Sequence, residues 1–177
     1  MTVVYNRIAL IGLGLIASSM FWSIRKGNLA QEVVGFAKSK KTRDTAKSIG
    51  LCDHVFNNLK DTVNNADLVV LCTPVGVMGE VVEQIAPYLK KGATLSDVGS
   101  VKRAVLDAVE PLIPQDVCFV PAHPLAGTEH SGPESGFSSL FENRWCILVP
   151  TTSSTRNAVE KLTRLWTGMG ALVDQMD

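Results

Sequence analysis

Two of the chain's three histidines lie in one short segment, Pro121–Gly132, which is rich in glycine and proline. An imidazole titrates near neutral pH, so His123 is a candidate to accept a proton or a hydrogen bond from a substrate hydroxyl. Pro124 disfavours helical angles at the residue before it and keeps His123 extended. Spacing alone leaves a second interpretation open, in which His123 is a structural histidine in a turn.

A second segment whose residue types suit binding or catalysis is Ser96–Lys102, which reads Ser-Asp-Val-Gly-Ser-Val-Lys. Ser100 stands where a helix is predicted to begin. Its hydroxyl, together with the free N–H groups of the helix start, would hold a carboxylate or a hydroxyl group. The other interpretation is that Ser100 is the N-cap of that helix, and the two roles are compatible.

The stretch between an apolar run, Ile8–Ile11, and a helical pattern carries small residues at G-x-G-x-x-A spacing. In this pattern Gly12 allows a tight turn, Gly14 lets a pyrophosphate approach the backbone, and Ala17 lets the helix pack closely. The strand-like run before it and the helix-like run after it favour a dinucleotide site over a turn without a ligand. The predicted cofactor-binding residues of this loop are Gly12, Leu13, Gly14, Leu15, Ile16 and Ala17.

Strand and helix signals alternate along the chain after this loop. The predicted strands are Ile8–Ile11, Glu32–Phe36, His54–Phe56, Ala66–Cys72, Ala93–Val98, Asp116–Val120, Arg144–Pro150 and Ala171–Val173. The predicted helices after the first are Lys40–Ile49, Val77–Leu89, Val101–Leu112 and Arg156–Met169. This alternation predicts an α/β fold of the Rossmann type, a doubly wound, mostly parallel sheet with helices on both faces. We expect one dinucleotide-binding domain over residues 1–177.

Ligands of such sheets bind beyond the carboxyl ends of the strands, which selects the loops at those ends. We expect cofactor contacts there, outside the glycine loop, from Ala37, Lys38, Ser39, Thr42, Cys72, Thr73, Pro74 and Asp97. The same rule brings the segment around His123 close to a bound nicotinamide.

The end of the second predicted strand bears on the choice between NAD and NADP. An acid about 20 residues after the glycines holds the ribose 2′-hydroxyl in the usual fingerprint. Ala37 occupies that position, and Glu32 lies at the other end of the strand. A carboxylate at this position would repel a 2′-phosphate, and its absence permits one. The basic and hydroxyl residues that follow also permit a 2′-phosphate, so this segment favours NADP over NAD. Those residues are Lys38, Ser39, Lys40, Thr42 and Arg43, which alternatively form only a solvated helix start.

Composition excludes several classes of protein. Hydrophobic residues make up 46% and charged residues 19% of the 177, an ordinary globular composition. Basic and acidic residues both number 17, and the short basic cluster lacks interleaved aromatics, so we expect neither nucleic-acid nor membrane binding. The four cysteines form no C-x-x-C pair, which predicts free thiols in a reducing, cytoplasmic compartment and no metal site.

In combination, these segments resemble the nucleotide-binding domain of the prephenate/arogenate (cyclohexadienyl) dehydrogenases. The segments that carry the resemblance are Gly12–Ala17, Asp67–Pro74, Asp97–Lys102 and His123–Gly132. The first two are common to many Rossmann dehydrogenases, whereas the last two, in this order, are specific.

The resemblance implies oxidative decarboxylation of prephenate or arogenate in tyrosine biosynthesis. Hydride leaves the ring carbon that bears the hydroxyl and goes to NAD(P)+, and carbon dioxide is lost as the ring becomes aromatic. His123 matches the family's catalytic histidine, and Ser100 matches a serine that holds the same hydroxyl and orients the histidine. Thr128 and Glu129 match the segment that lines and gates the substrate pocket.

Members of this family continue into a helical second domain, which makes a homodimer and closes over the substrate. The 177 residues contain no such segment, so we expect a cofactor-binding part that is poorly active alone and dimeric only with that domain. Two alternatives stay open. One is another Rossmann oxidoreductase, of the 3-hydroxyacid dehydrogenase or imine reductase type; the other is a non-catalytic nucleotide-binding module in which His123 is dispensable.

Overall fold

A computed structural model describes residues 2–176 and contains a six-stranded parallel sheet. Its strands are β1 (Tyr5–Ile11), β2 (Ala30–Phe36), β3 (His54–Phe56), β4 (Leu68–Leu71), β5 (Thr94–Asp97) and β6 (Cys118–Phe119). Their order is β3-β2-β1-β4-β5-β6, and every neighbouring pair is parallel. This order, with its reversal between β1 and β4, confirms the predicted Rossmann-type sheet.

Helices cover both faces of the sheet, as predicted. They are α1 (Leu15–Gly27), α2 (Lys40–Ser48), α3 (Leu59–Val63), α4 (Val75–Ile85), α5 (Lys102–Val109) and α6 (Arg156–Gly168). Along β1, Ile8 and Leu10 belong to one apolar cluster, while Ala9 and Ile11 belong to another. Successive strand residues point to opposite faces, so the alternation places an apolar core on each side. All four of these side chains have no exposed surface, which explains why the Ile8–Ile11 part of β1 is continuously apolar.

The helix ends depart from the prediction in two places. The predicted helices Val77–Leu89 and Val101–Leu112 end earlier, and each continues as a single 3-10 turn, Ala86–Tyr88 and Glu110–Leu112. Each turn contains a proline, which has no N–H for an α-helical bond and clashes with the preceding turn.

Two elements lie where sequence analysis predicted none. The helix α3 has five residues, too few for an apolar period to show. The segment Ala122–Pro124, predicted as loop, is a strand, β7, which pairs antiparallel with β8 (Trp145–Leu148). A further strand, β9 (Leu172–Gln175), pairs parallel with β8, so β7, β8 and β9 form a second sheet.

The second sheet shares its apolar core with one face of the main sheet. The helix α6 connects β8 to β9, and its Trp166 packs edge-on against Phe141 with ring centroids 5.2 Å apart. Both side chains belong to the cluster that contains Ile8 and Leu10. Within residues 2–176 no helix is both long enough and apolar enough to cross a membrane.

Candidate active site

The carboxyl ends of four strands meet at one edge of the main sheet. Their in-register pairs are Ile11–Phe36, Ile11–Leu71 and Leu71–Asp97. The ladder continues one step beyond the strands, because the Gly12 N–H donates to the Phe36 carbonyl at 2.7 Å and the Cys72 N–H donates to the Ile11 carbonyl at 2.7 Å. The loops after β1, β2, β4 and β5 therefore lie side by side, as the sequence predicted.

The two glycines of the first loop have different structural roles. Gly12 adopts φ +93°, and a Cβ built on it would lie 2.9 Å from the carbonyl oxygen of Cys72. Gly14 precedes α1 with φ −100°, and a Cβ there would meet no atom within 4 Å. The first position thus needs glycine for the fold, whereas the second leaves open space at a helix N-terminus, where backbone N–H groups attract anions.

The remaining residues of this loop face mostly inward. Leu13 and Ala17 are buried in the core, and Leu15 and Ile16 are partly buried against the same cluster. A ligand at this loop would therefore contact backbone N–H groups rather than the side chains of Leu13 and Ala17.

A cavity of about 400 Å³ lies between the glycine loop, the end of β2 and the start of α4. Its walls include Gly12, Phe36, Lys38, Thr73, Pro74 and Glu80. The Thr73 hydroxyl oxygen is buried and has no hydrogen-bond partner among the described residues. An apolar cavity with a few unpaired polar groups is the usual form of a small-molecule site.

The loop after β2 separates the residues that sequence analysis had grouped as a basic cluster. The Ser39 hydroxyl caps α2 by accepting the Thr42 N–H at 3.4 Å. The Arg43 guanidinium donates to the carbonyls of Ala37 and Lys38, at 2.7 and 2.8 Å, and so holds the turn. Lys38 is exposed and lines the cavity, whereas the Ala37 side chain is buried.

The end of β5 carries a buried ion pair. The Asp97 carboxylate, which is fully buried, accepts hydrogen bonds from the Gly99 N–H at 2.7 Å, the Ala122 N–H at 3.3 Å and the Lys102 ammonium. Lys102 also donates to the Ala122 carbonyl at 2.6 Å. Burial raises the pKa of Asp97 and lowers the pKa of Lys102, while the attraction between them opposes both changes. The Asp97 side chain therefore faces the protein, although a cofactor contact was predicted for this residue.

His123 lies in the middle of β7, directly after Ala122, to which both members of this pair bond. It is partly buried, and burial, then the Lys102 ammonium, lower its pKa from 6.5, while Asp97 acts in the opposite direction. The imidazole is uncharged near neutral pH and is able to accept a proton.

Ser100 lies in the exposed bend between β5 and α5. The helix begins at Lys102 with Val101 as its N-cap residue and no side-chain capping bond, so the alternative interpretation of Ser100 as the N-cap is wrong. On either side of Ser100, the Gly99 N–H and the Lys102 ammonium both donate to the Asp97 carboxylate. The Ser100 hydroxyl does not serve as a cap and is exposed at the ligand edge.

The predicted gating residues, Thr128 and Glu129, lie in an exposed loop beyond β7. The Thr128 hydroxyl accepts the His130 N–H at 3.1 Å, and Thr128 lines a cavity of about 310 Å³. The Glu129 side chain is 89% exposed and lies outside that cavity wall. Arg144 lines the same cavity and was missed by sequence analysis, because a lone arginine before a strand carries no signal.

Sequence analysis also missed Lys102 as a residue of this site. Its partner lies five positions earlier and on a different element, a spacing that neither helical nor strand periodicity marks. In the described part of the chain, no group of three or more His, Cys, Asp or Glu side chains is placed to hold a metal ion.

Taken together, the sheet order, the glycine turn and the cavity at the reversal point define a nucleotide-binding Rossmann domain. Residues 22–175 match the family described as the nucleotide-binding domain of prephenate dehydrogenase, and the chain belongs to that family.

Named relatives agree with this assignment. The cyclohexadienyl dehydrogenase of Zymomonas mobilis is 39% identical over 98% of the chain, which spans 59% of that relative's length. The crystal structure of Aquifex aeolicus prephenate dehydrogenase, in complex with hydroxyphenyl propionate and NAD+, superposes with a TM-score of 0.89 at 27% identity. That match covers 97% of this chain and 60% of the other. Synechocystis arogenate dehydrogenase gives a TM-score of 0.87 at 26% identity, over 96% and 59% of the two chains.

Proposed function

We propose that the chain is the cofactor-binding part of an NAD(P)-dependent oxidoreductase that decarboxylates prephenate or arogenate oxidatively in tyrosine biosynthesis. The observation that carries this proposal is the position of His123. It directly follows Ala122, whose N–H and carbonyl both bond to groups at the ligand edge of the main sheet. The names of the relatives support the two substrates.

The residues at the edge fit a nicotinamide dinucleotide. The open space above Gly14 and the start of α1 suit a pyrophosphate, since a helix N-terminus attracts anions. The cavity beside Thr73 and Pro74 suits the adenosine half, and the unpaired Thr73 hydroxyl is available to a ribose. Once bound, the cofactor accepts the hydride of the reaction.

The protein's own contribution to the chemistry is proton transfer and orientation. As hydride leaves the ring carbon, His123 takes the proton of the hydroxyl on that carbon, and the oxygen becomes carbonyl-like. Electrons of the breaking carbon–carboxylate bond then enter the ring, carbon dioxide leaves, and the phenolic oxygen recovers a proton. Ser100 holds the same hydroxyl, and Thr128 and Glu129 belong to the segment that lines and gates the substrate pocket.

Replacing His123 with asparagine tests the catalytic role. His123→Asn retains polarity but loses the base, so we expect kcat to fall by about a hundredfold or more, with the cofactor Kd unchanged. His130→Asn is the matched control, because its side chain is 73% exposed on the loop that follows β7. Turnover is measured in the natural full-length polypeptide with each substrate. Unchanged turnover in His123→Asn would remove its role and favour a non-catalytic module.

We also propose that the site prefers NADP over NAD. Lys38 lines the nucleotide cavity with an exposed ammonium, and the carboxylate that would repel a 2′-phosphate is missing at position 37. The start of α2, capped by Ser39, adds N–H groups at the same place. Glu80 is the opposing feature, since its carboxylate lines the same cavity.

Reversing the charge of Lys38 tests this preference. We expect Lys38→Glu to weaken NADP+ binding by about tenfold, the worth of one charged hydrogen bond, and to leave NAD+ binding nearly unchanged. Lys91→Glu is the control, because this lysine is exposed at the opposite edge of the sheet. Equal affinity of the unmodified chain for the two cofactors would refute the preference.

A further inference from the structure

The Asp97–Lys102 pair joins the two sheets directly before His123. The carboxylate accepts the Ala122 N–H and the ammonium donates to the Ala122 carbonyl, so one peptide segment is held from both sides. Asp97 belongs to the main sheet, Lys102 to α5 and Ala122 to the second sheet. The position of His123 relative to the cofactor edge therefore depends on this pair.

We propose that Asp97 and Lys102 act as positioning residues for His123: they fix its backbone against the end of β5 and place an ammonium group near the imidazole, so that the imidazole stays an uncharged proton acceptor. This inference rests on the proposed function for the identity of the proton donor, a substrate hydroxyl. The positional part stands on hydrogen bonds within the chain, and the electrostatic part stands on the charges of the same two residues.

The backbone contribution follows from the hydrogen bonds on each side of His123. Ala122 is held by Asp97 and Lys102, and His123 itself lies opposite Ile147 in the β7–β8 pairing. The imidazole thus extends from a strand fixed on both sides. A rigid base loses less entropy when it orients toward a substrate, which is the advantage of a preorganised site.

The electrostatic contribution follows from the charged groups around the imidazole. The charged groups that act on it are Lys102 from α5 and Asp97 from β5, and the Cys146 thiol from β8 contacts the His123 backbone. Burial raises the pKa of Cys146 to about 12, so this thiol is uncharged. The remaining charges are those of the pair, and the Lys102 ammonium, which opposes protonation of the imidazole, acts more strongly than the Asp97 carboxylate.

We expect that folding does not require this pair to be ionic. Buried ion pairs contribute little net stability compared with apolar residues of similar volume, whereas removing one partner leaves a costly uncompensated charge. The double variant Asp97→Asn/Lys102→Met removes both charges together. We therefore expect the double variant to fold even if either single variant does not.

The test is the pKa of His123, measured by NMR titration of the imidazole signals in the complete chain, with the cofactor and substrate absent. The chain has three histidines, so His123→Gln identifies the signal, and His130 is an internal control on the exposed loop. We expect the pKa of His123 to rise in Lys102→Met and fall in Asp97→Asn, each by at least about 0.3, a twofold change in the proton-binding constant. The double variant should show a smaller rise, and His130 should not move.

An unchanged His123 pKa in folded Lys102→Met, or in the folded double variant, would overturn the proposal. The same variants in the natural full-length polypeptide should shift the acid limb of the kcat/KM profile in the same direction as the NMR value, with cofactor Kd unchanged. A His123 pKa that follows the predicted order while His123→Asn keeps full turnover would refute the catalytic function and leave the positioning intact. If His123→Asn loses turnover but the His123 pKa does not change in Lys102→Met, the catalytic function is supported and the positioning role is refuted.

Discussion

The glycine loop allows the fold to be separated from cofactor binding by two single substitutions. Gly14→Ala adds a methyl group to open space, at φ −100° and ψ −161°, which alanine adopts without strain. Gly12→Ala adds the same methyl at φ +93°, 2.9 Å from a backbone oxygen. We expect Gly14→Ala to weaken cofactor binding and Gly12→Ala to lower the stability of the fold.

The magnitudes follow from these geometries. For Gly14→Ala we expect the free energy of unfolding to stay within about 1 kcal/mol of the parent, since alanine mainly lowers the entropy of the unfolded chain. Loss of one charged hydrogen bond between the pyrophosphate and the helix start costs about 1.5–3 kcal/mol, which weakens binding by roughly ten- to a hundredfold. For Gly12→Ala, left-handed geometry alone costs about 1–2 kcal/mol, and the close contact with Cys72 adds to it.

The assay pairs urea unfolding with a titration of NAD+ and NADP+ followed by tryptophan fluorescence, which the chain's three tryptophans permit. Gly76→Ala is the control, because this glycine is exposed in α4 and its Cβ would meet nothing within 4 Å. It should bind cofactor normally and be at least as stable as the parent. If Gly14→Ala bound both cofactors with parental affinity, the assignment of the pyrophosphate to this turn would be refuted.

Three further outcomes follow from burial and charge. Asp67 accepts two backbone N–H groups and the Lys90 ammonium, which together lower its pKa from 3.8 although burial acts to raise it. The stabilising effect of the Asp67 carboxylate is therefore present above pH 3.8 and is lost as pH falls through the folded-state pKa. We expect Asp67→Asn to lower the free energy of unfolding by about 1–3 kcal/mol at neutral pH. Urea unfolding across pH should show this difference from the parent disappear in acid. Burial and the Lys102 ammonium lower the pKa of His123 from 6.5, so we expect kcat/KM to be unchanged at pH 6.5 and to fall only in more acidic buffer. A fall in kcat/KM centred above pH 6.5 would contradict the assignment of His123 as the base. Trp166→Ala, which empties the fully buried contact with Phe141, should cost about 3–5 kcal/mol in the same unfolding assay, and a loss under 1 would show that the core collapses to fill the space.

The main sheet was predictable because its strands are short apolar runs separated by helices, and Ile8–Ile11 shows this pattern. The second sheet was not predictable, because β7 and β8 pair across twenty residues of mostly irregular chain. Pairing at that distance depends on tertiary contacts, and three residues of which one is proline give no strand signal. His123 was therefore identified as a candidate base but assigned to a loop.

The glycine turn was predictable from local spacing, since it must lie between β1 and α1. The environment of His123 was not, because Asp97 and Lys102 act through a backbone segment twenty residues further along the chain. The start of α5 after Ser100 was also not predictable from the local sequence. A serine before a helix is the usual cap, but here Val101 is the N-cap residue and no side chain caps the helix.

Turnover with defined substrates tests the central claim most directly. The natural full-length polypeptide is incubated with prephenate or with arogenate, each with NAD+ and with NADP+, and reduced nicotinamide and carbon dioxide are measured together. We predict that at least one substrate yields reduced cofactor and carbon dioxide in equal amounts, and that His123→Asn abolishes both while still binding cofactor. Tight cofactor binding without reduction by either substrate would contradict the account and leave the chain as a nucleotide-binding module.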